Sequence, residues 1–155
     1  MSNAARAKLS VIIVNFHSGK LILDCLQSMF EYNDANQLEV IVIDNSSSIP
    51  DRHLIRESYP KVNWIDMGYN AGFARANNKG MQFAKGDAFL LLNPDTLSLD
   101  NSISRCFPRL MESNYLAAGV QLLDVHQEPQ ISGSYFVKGG LNHLLPIPYW
   151  GDVIR

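Results

Sequence analysis

Short apolar runs that alternate with segments of helical periodicity are the feature that most constrains the fold of this chain. Residues 9–16 (LSVIIVNF) are largely apolar and rich in β-branched side chains, which is typical of a strand buried on both faces. Residues 38–43 repeat this pattern, and shorter runs at 62–65 and 88–92 indicate a third and a fourth strand. The apolar stretch at 116–123 predicts a fifth strand.

The segments between these runs have the spacing of amphipathic helices. After the first run, apolar side chains recur on one helical face, namely Leu21, Ile22, Cys25, Leu26, Met29 and Phe30. Further helices are expected at residues 51–59 and 73–83 and after Leu97, the last with a kink or break at Pro108. This alternation predicts parallel βαβ units in an α/β fold, a three-layer αβα sandwich around a mostly parallel, doubly wound sheet.

Polar clusters come directly after the predicted strands. In an open parallel sheet, ligands bind beyond the carboxyl ends of the strands, because the connecting loops diverge there. The clusters expected at this rim are Asn15, His17 and Ser18; Asp44, Asn45 and Ser46; Asp66 to Gly72; and Asn93, Asp95 and Thr96. Each cluster alone also fits a turn or a helix cap. Four clusters at one edge of a sheet predict a binding site.

Two asparagines lie within the predicted third helix. Asparagine is mildly unfavourable in a helix interior, so Asn77 and Asn78 are expected to have partners. A structural hydrogen bond to a neighbouring loop and a contact to a ligand both fit them.

The glycine pattern argues against two common nucleotide sites. The dinucleotide-binding fold has a glycine-rich turn after its first strand, but residues 16–20 (FHSGK) contain a single glycine. The Walker pattern is also absent from the sequence. A nucleotide on this sheet would therefore be held by side chains and a metal ion.

Asp95 follows the fourth predicted strand in the stretch NPDT, residues 93–96. Pro94 has a fixed φ and lacks an amide hydrogen, so it ends the strand and presents the aspartate stiffly. Magnesium takes one or two protein carboxylates and completes its shell with water and substrate phosphates. Asp95 therefore fits either a helix cap or a ligand of a divalent metal bound to a diphosphate.

Composition limits the remaining classes. The net charge of -2 provides no basic field for nucleic acid. The sequence has neither an apolar run of roughly 18–20 residues nor a signal-like start, which favours a cytosolic location, including the inner face of the cytoplasmic membrane. Residues 1–7 are expected to be a cloning remnant or disordered. Cys25 and Cys106 are expected to be reduced, buried packing residues.

Four stretches in this order and spacing resemble a known family: VIIVNFHSG, VIVIDNSSS, NAGFARANNKGMQFAKGD and FLLLNPDT. They are similar to the inverting, nucleotide-sugar-dependent glycosyltransferases of family 2, which have the GT-A fold. Within that family they most resemble the rhamnosyltransferase-like branch, where NPDT replaces the commoner Asp-x-Asp signature. The resemblance covers about residues 8–125 and predicts a nucleotide-sugar-binding domain there.

The resemblance implies specific roles at the rim. Asp44 would lie against the nucleobase and ribose, with Asn15 and Asn45 nearby. The residues that would shape the loop and helix beside the nucleotide are Asn70, Gly72 and Asn78.

The resemblance also implies a cofactor and a donor. Asp95 would coordinate Mg²⁺ or Mn²⁺ bridging the diphosphate, while Asn93 occupies the position of the first aspartate of Asp-x-Asp. The donor would be a dTDP- or UDP-sugar, often dTDP-rhamnose, and the acceptor a saccharide or a lipid-linked sugar.

The carboxyl-terminal region departs from the family pattern. The general base of such enzymes lies near a Gly-Gly-Phe-Asp-Glu stretch, but here Gly139-Gly140 is followed by Leu141. The nearby ionisable candidates are Asp124, His126 and Glu128. The chain is therefore expected to be the donor-binding half of a longer enzyme, with residues 126–155 a partly ordered apolar segment.

Two alternatives remain open from the sequence. A non-catalytic module of the same fold could form a homodimer through the apolar residues 139–155. A nucleotidyltransferase on a similar sheet would need a glycine-rich, basic loop after the first strand, and residues 17–20 are a poor match to one.

Overall fold

The computed structural model of the chain describes residues 9–45 and 49–130. Its strands are β1 (Leu9–Asn15), β2 (Leu38–Asp44), β3 (Asn63–Asp66) and β4 (Ala88–Leu92). They form one sheet in the order β3-β2-β1-β4, and every neighbouring pair is parallel. The predicted parallel sheet is confirmed, and β1 lies in its interior as its continuous burial requires.

Within the described residues, four α-helices connect or follow these strands. They are α1 (Gly19–Tyr32), α2 (Ile49–Ser58), α3 (Phe73–Phe83) and α4 (Ser102–Glu112), and a 3₁₀ turn (Ala35–Gln37) precedes β2. The helix positions agree with the apolar periodicity of the sequence to within a few residues.

The central strands β1 and β2 are buried on both faces of the sheet, whereas Phe89 and Leu91 of β4 are about half exposed. Val11 and Ile13 of β1 pack in one cluster with residues of α1, α2 and α4, including Ile55 and Ile103. Ile12 lies on the opposite face, in a second cluster with α3. This arrangement is the predicted three-layer αβα sandwich.

Gly80 brings α3 close to the sheet. A Cβ atom at this position would lie 2.5 Å from Cγ2 of Ile12, which is fully buried. Only a residue without a side chain fits at this contact, so Gly80 fixes the spacing between α3 and β1.

Two expectations about local structure are wrong. Residues 116–123 form no strand, and within the described part of the chain their one β-contact is an isolated bridge between Leu123 and Pro129. Leu116 is fully exposed, and the adjacent Ala117, Ala118 and Gly119 have low β-propensity. The segment therefore lacks the packing that would stabilise a strand.

The second correction concerns the break that was one of two expectations at Pro108: α4 does not break there and continues to Glu112, while a kink stays a prediction. A proline in a helix interior removes one backbone hydrogen bond. Ile103 and Phe107 pack the part of α4 before the proline against the core.

The described residues divide into two compact units between Ala118 and Gly119. In the second unit, the Asp124 carboxylate accepts hydrogen bonds from the amides of His126 (2.8 Å) and Glu128 (3.0 Å), which closes a turn. The predictions for residues 1–7, for Ser46 and for the segment 139–155 lie outside the described residues, and the domain boundary near residue 125 stays a prediction.

Candidate functional site

The register of the sheet aligns polar residues at the carboxyl ends of three strands. Asn15 at the end of β1 lies opposite Asp44 at the end of β2, and Asp44 lies opposite Asp66 at the end of β3. The sheet therefore brings two of the predicted site residues, Asn15 and Asp44, into direct contact.

The side chain of Asn15 joins three elements. It is fully buried, and its oxygen accepts a hydrogen bond from the Ser18 amide at 3.0 Å. Its nitrogen donates to Asp44 Oδ1 at 3.1 Å and, more weakly, to Asp51 Oδ2 of α2 at 3.4 Å. Asp44 is only 2% exposed, so this amide helps to hold a carboxylate almost out of solvent.

Asn45 holds the loop before α3. Its side-chain oxygen accepts a hydrogen bond from the Ala71 amide at 2.8 Å, and its nitrogen donates to Asn70 Oδ1 at 3.0 Å. The same Asn70 oxygen accepts from the Gly72 amide at 3.0 Å. Gly72 has a φ of 82°, a backbone conformation that favours glycine. These hydrogen bonds hold the loop before α3 against the end of β2.

Asp95 lies on a turn that begins directly after β4. The Thr96 amide donates to the Asn93 carbonyl at 3.2 Å, with Pro94 at the second position of the turn, where its fixed φ is favoured. The Asp95 side chain is exposed. The predicted turn is present and presents a carboxylate to solvent.

These loops border an open cavity of about 560 Å³ at the carboxyl edge of the sheet. Its lining residues are Val14, Phe16, Ser18, Leu21, Asn45, Asn70, Gly72, Phe73, Asn93, Pro94 and Asp95. The ends of β1, β2 and β4 and the start of α3 therefore share one concave surface, as the position of the polar clusters predicts.

The predicted site residues fall into three groups. Those that line the cavity are Asn45, Asn70, Gly72, Asn93 and Asp95. Asn15 and Asp44 are buried among the strand ends and do not line it. Asn78 is exposed on α3 outside the lining, and its neighbour Asn77 is buried and donates to the Phe73 carbonyl at 3.1 Å. The Asn77 bond is structural but stays within α3 and does not reach the neighbouring loop that was expected, and the role of Asn78 stays a prediction.

Two aromatic residues of the cavity were missing from the predicted site. Phe16 and Phe73 line it with 50% and 59% of their surface exposed. The sequence pattern places Phe16 at the end of the first predicted strand and Phe73 at the start of the helix predicted at 73–83. Their positions, one directly after β1 and one at the first residue of α3, were the signal that could have identified them.

Asp95 is the one carboxylate among the lining residues of this cavity. Among the described residues, no group of three or more His, Cys, Asp or Glu side chains could hold a metal ion. A single carboxylate fits a cation such as Mg²⁺ or Mn²⁺ that takes most of its ligands from phosphate and water, and does not fit a cation enclosed by protein.

Cys25 of α1 lies behind the Asp95 turn and is 1% exposed. Burial, and secondarily the negative charge of Asp95, raise the pKa of the Cys25 thiol to about 11. The thiol is therefore protonated at neutral pH and is not an activated nucleophile.

A parallel α/β sheet with a cavity at the carboxyl ends of its strands is the arrangement in which open α/β domains bind ligands. Residues 10–133 match the family described as glycosyl transferase family 2, and the chain belongs to this family. The family expected from the four sequence stretches is thus confirmed.

Curated relatives include a low-salt glycan biosynthesis hexosyltransferase, Agl10, of Haloferax volcanii, 29% identical over 147 residues, which are 89% of this chain and 46% of that protein. The glycosyltransferase GlyG of Streptococcus pneumoniae is 22% identical over 133 residues, 83% of this chain and 42% of that protein. The chain therefore spans less than half the length of either relative.

Similar solved structures include the mannosyltransferase PcManGT from Pyrobaculum calidifontis in complex with GDP-Man and Mn²⁺. It has a TM-score of 0.56 and 24% identity, over 62% of this chain and 30% of that one. S. aureus TarS 1-349 in complex with UDP-GlcNAc has a TM-score of 0.59 and 20% identity, over 68% of this chain and 31% of that one. These similarities establish the GT-A fold.

Each helix in the described part of the chain is too short or too polar to span a lipid bilayer.

Proposed function

We propose that this chain binds the donor substrate of a glycosyltransferase, a nucleoside diphosphate sugar with a divalent cation, in the cavity at the rim of the sheet. The observation that carries the proposal is the position of Asp95, which shares this cavity with Asn45 and Asn70. Family membership supports this class of reaction, and the cavity at the carboxyl ends of the strands supports this location for the donor.

The cavity offers surfaces suited to a nucleoside. Phe16 and Phe73 line the cavity with about half of their surface exposed, and a base that stacked on such a ring would gain about 1–3 kcal/mol. The polar groups of Asn45 and Asn70 lie in the same lining and can form hydrogen bonds to base or ribose. Asp44 is proposed to face the nucleobase and ribose. Because it is almost fully buried, a nucleoside in the cavity would reach it only past Asn45 and Asn70.

The same cavity offers groups suited to a diphosphate. Asp95 would hold Mg²⁺ or Mn²⁺, and a bound cation of this kind supplies neutralisation of the leaving diphosphate. Gly72, the N-cap of α3, makes no side-chain capping bond and lines the cavity, so the positive end of a helix dipole lies beside it. Both features favour an anionic ligand.

The transfer step also requires a general base that removes a proton from the acceptor hydroxyl. Within the described residues, Asp124 holds the backbone amides of its own turn, which is a structural role. No residue is assigned as the base, and the acceptor, a saccharide or lipid-linked sugar, is proposed from the sequence resemblance alone, as is inversion of configuration.

The identity of the donor is the finer part of the proposal. The sequence resemblance favours dTDP-rhamnose or another dTDP- or UDP-sugar. Two similar solved structures contain GDP-Man and UDP-GlcNAc. They support a nucleotide sugar as the donor of this chain, and the nucleobase of that donor is to be measured. The cytosolic location and the homodimer through residues 139–155 stay predictions.

Thermal unfolding of the full chain tests the proposal. UDP, GDP and dTDP are each added with Mn²⁺, with Mg²⁺ and with EDTA, and AMP serves as a monophosphate control. A ligand that binds only the folded state raises the melting temperature by mass action. We expect one diphosphate to raise it more with a divalent cation than with EDTA. If none of the three raises it under any condition, donor binding by this chain is contradicted.

A further inference from the structure

We propose that Ser28 of α1, assisted by Cys25, is a positioning residue that anchors the segment carrying Asp95. The functional consequence rests on the proposed donor binding, since Asp95 is the proposed cation ligand. The anchoring itself is a property of the free protein and can be measured without any ligand.

One end of the segment is held by the Ser28 hydroxyl. Its oxygen accepts a hydrogen bond from the Ser98 amide at 3.0 Å, across 70 residues of sequence. The same hydroxyl donates to the Cys25 carbonyl within α1 at 2.9 Å. Because both its donor and its acceptor functions are used, the hydroxyl is fixed in orientation and provides a defined acceptor for Ser98.

The other end is held by the Cys25 thiol. Its sulfur lies 4.0 Å from the Asn93 carbonyl oxygen, a distance consistent with a weak S–H···O contact. The same carbonyl accepts the Thr96 amide that closes the turn around Asp95. A thiol carries the hydrogen that this contact requires. Residues 93–98 are therefore tied at both ends to one helix.

The segment has few other restraints. Residues 93–100 belong to no helix or strand, and Leu97 and Leu99 are more than half exposed. A chain held by so little apolar packing must lose conformational freedom when it binds a ligand, which weakens binding. Hydrogen bonds from a packed helix reduce that loss by ordering the segment beforehand. Ser28 thus acts on a ligand of Asp95 without touching it.

Ser28→Ala tests this role at constant helix packing, since Ser28 is only half-buried and alanine favours the helix. Binding of the diphosphate that stabilises the wild type best is measured with Mn²⁺ and with EDTA. Loss of one hydrogen bond predicts an affinity about threefold to tenfold lower with Mn²⁺, and unchanged affinity with EDTA. Ser28→Thr keeps the hydroxyl, so its affinity for the diphosphate with Mn²⁺ should match that of the wild type.

Ser104→Ala is the matched control. The Ser104 hydroxyl donates at 2.6 Å to Asn33, at the opposite end of α1 from the cavity. The two variants remove the same group from contacts made by one helix, and only Ser28→Ala should change the Mn²⁺ dependence. An equal loss with Mn²⁺ and EDTA, or an equal effect of both variants, would show that Ser28 is merely structural.

Amide hydrogen exchange of the free protein separates this inference from donor binding. We expect Ser28→Ala to accelerate exchange at Ser98 and Thr96 and to leave β4 unchanged. Unchanged exchange at Ser98 would overturn the anchoring even if the chain binds a nucleotide. Faster exchange in a chain that binds no nucleotide would retain the anchoring and refute the proposed function.

Discussion

Asn15 and Asp44 end two adjacent parallel strands at the same register position, and the Asn15 amide donates a 3.1 Å hydrogen bond to the Asp44 carboxylate. Both side chains are almost fully buried. A carboxylate removed from water is stable only where donors replace its hydration. The hydrogen bond between Asn15 and Asp44 therefore stabilises the sheet and also fixes the positions of both side chains at its carboxyl edge.

Asn15→Ala should lower the free energy of unfolding by about 2–3 kcal/mol, because it leaves the buried Asp44 carboxylate without this donor and the Ser18 amide without its acceptor. Urea unfolding at neutral pH measures the change. Asn36→Ala is the control, since Asn36 is exposed and bonds only to Asp34 of its own turn. Equal effects of the two variants would contradict a special role for the buried amide.

Gly80→Ala should destabilise the chain by about 1–2 kcal/mol, although alanine is the better helix former. The added Cβ would lie 2.5 Å from Cγ2 of the fully buried Ile12, and overpacking a rigid core outweighs the gain in propensity. Gly119→Ala, whose Cβ would meet nothing within 4 Å, should change stability by less than about 0.5 kcal/mol. A stabilised Gly80→Ala protein would mean that α3 can move away from β1.

Asn45→Leu should weaken nucleotide binding about fivefold to tenfold, both with Mn²⁺ and with EDTA. The substitution removes the hydrogen bonds that hold Ala71 and Asn70, and it removes a polar group from the cavity. Isothermal titration calorimetry under both conditions gives the ratio. A loss confined to the Mn²⁺ condition would place Asn45 with the cation and not with the nucleoside.

Cys25 should make stability fall with rising pH above 9. Burial raises the pKa of its thiol from the ordinary value of 9.0 to about 11, so between these values the unfolded chain releases a proton that the folded chain keeps. The raised pKa contributes about 2–3 kcal/mol to the free energy of unfolding. This contribution is complete below pH 9 and is lost as the pH rises through about 11.

Cys25→Ser provides the comparison, with urea unfolding of both proteins under reducing conditions at pH 8 and pH 10.5. The wild type should lose more stability between these values than the variant. Tyr59, whose pKa is also raised by burial, acts in the same direction in both proteins and cancels in the comparison. Equal losses would show that the thiol titrates freely in the folded state.

The fold was predictable because burial and periodicity agree along most of the chain. Residues 9–15 are apolar on both faces of a strand, and Ile22, Leu26 and Met29 repeat on one face of a helix. At 116–123 the apolar content was misleading, because a strand also requires β-propensity and a partner for its backbone. Neither requirement is visible in the hydrophobicity of the segment.

The candidate site was predictable only in part. Parallel topology brings the residues after each strand to one edge, which is why Asn45, Asn70 and Asp95 were expected near one another and line one cavity. The contacts of Ser28 with Ser98 and of Asn15 with Asp51 depend on how helices pack beside the sheet. No pattern in the sequence encodes such contacts, which span tens of residues.

The central claim is that Asp95 holds a divalent cation against a bound nucleoside diphosphate. Calorimetric titration of the wild type, of Asp95→Asn and of Asp24→Asn, an exposed aspartate of α1 outside the cavity, tests it directly. Mn²⁺ should increase the affinity of the wild type and of Asp24→Asn by about tenfold or more over EDTA, whereas Asp95→Asn should lose this increase and bind in EDTA no more weakly than the wild type. An undiminished Mn²⁺ effect in Asp95→Asn would contradict the account.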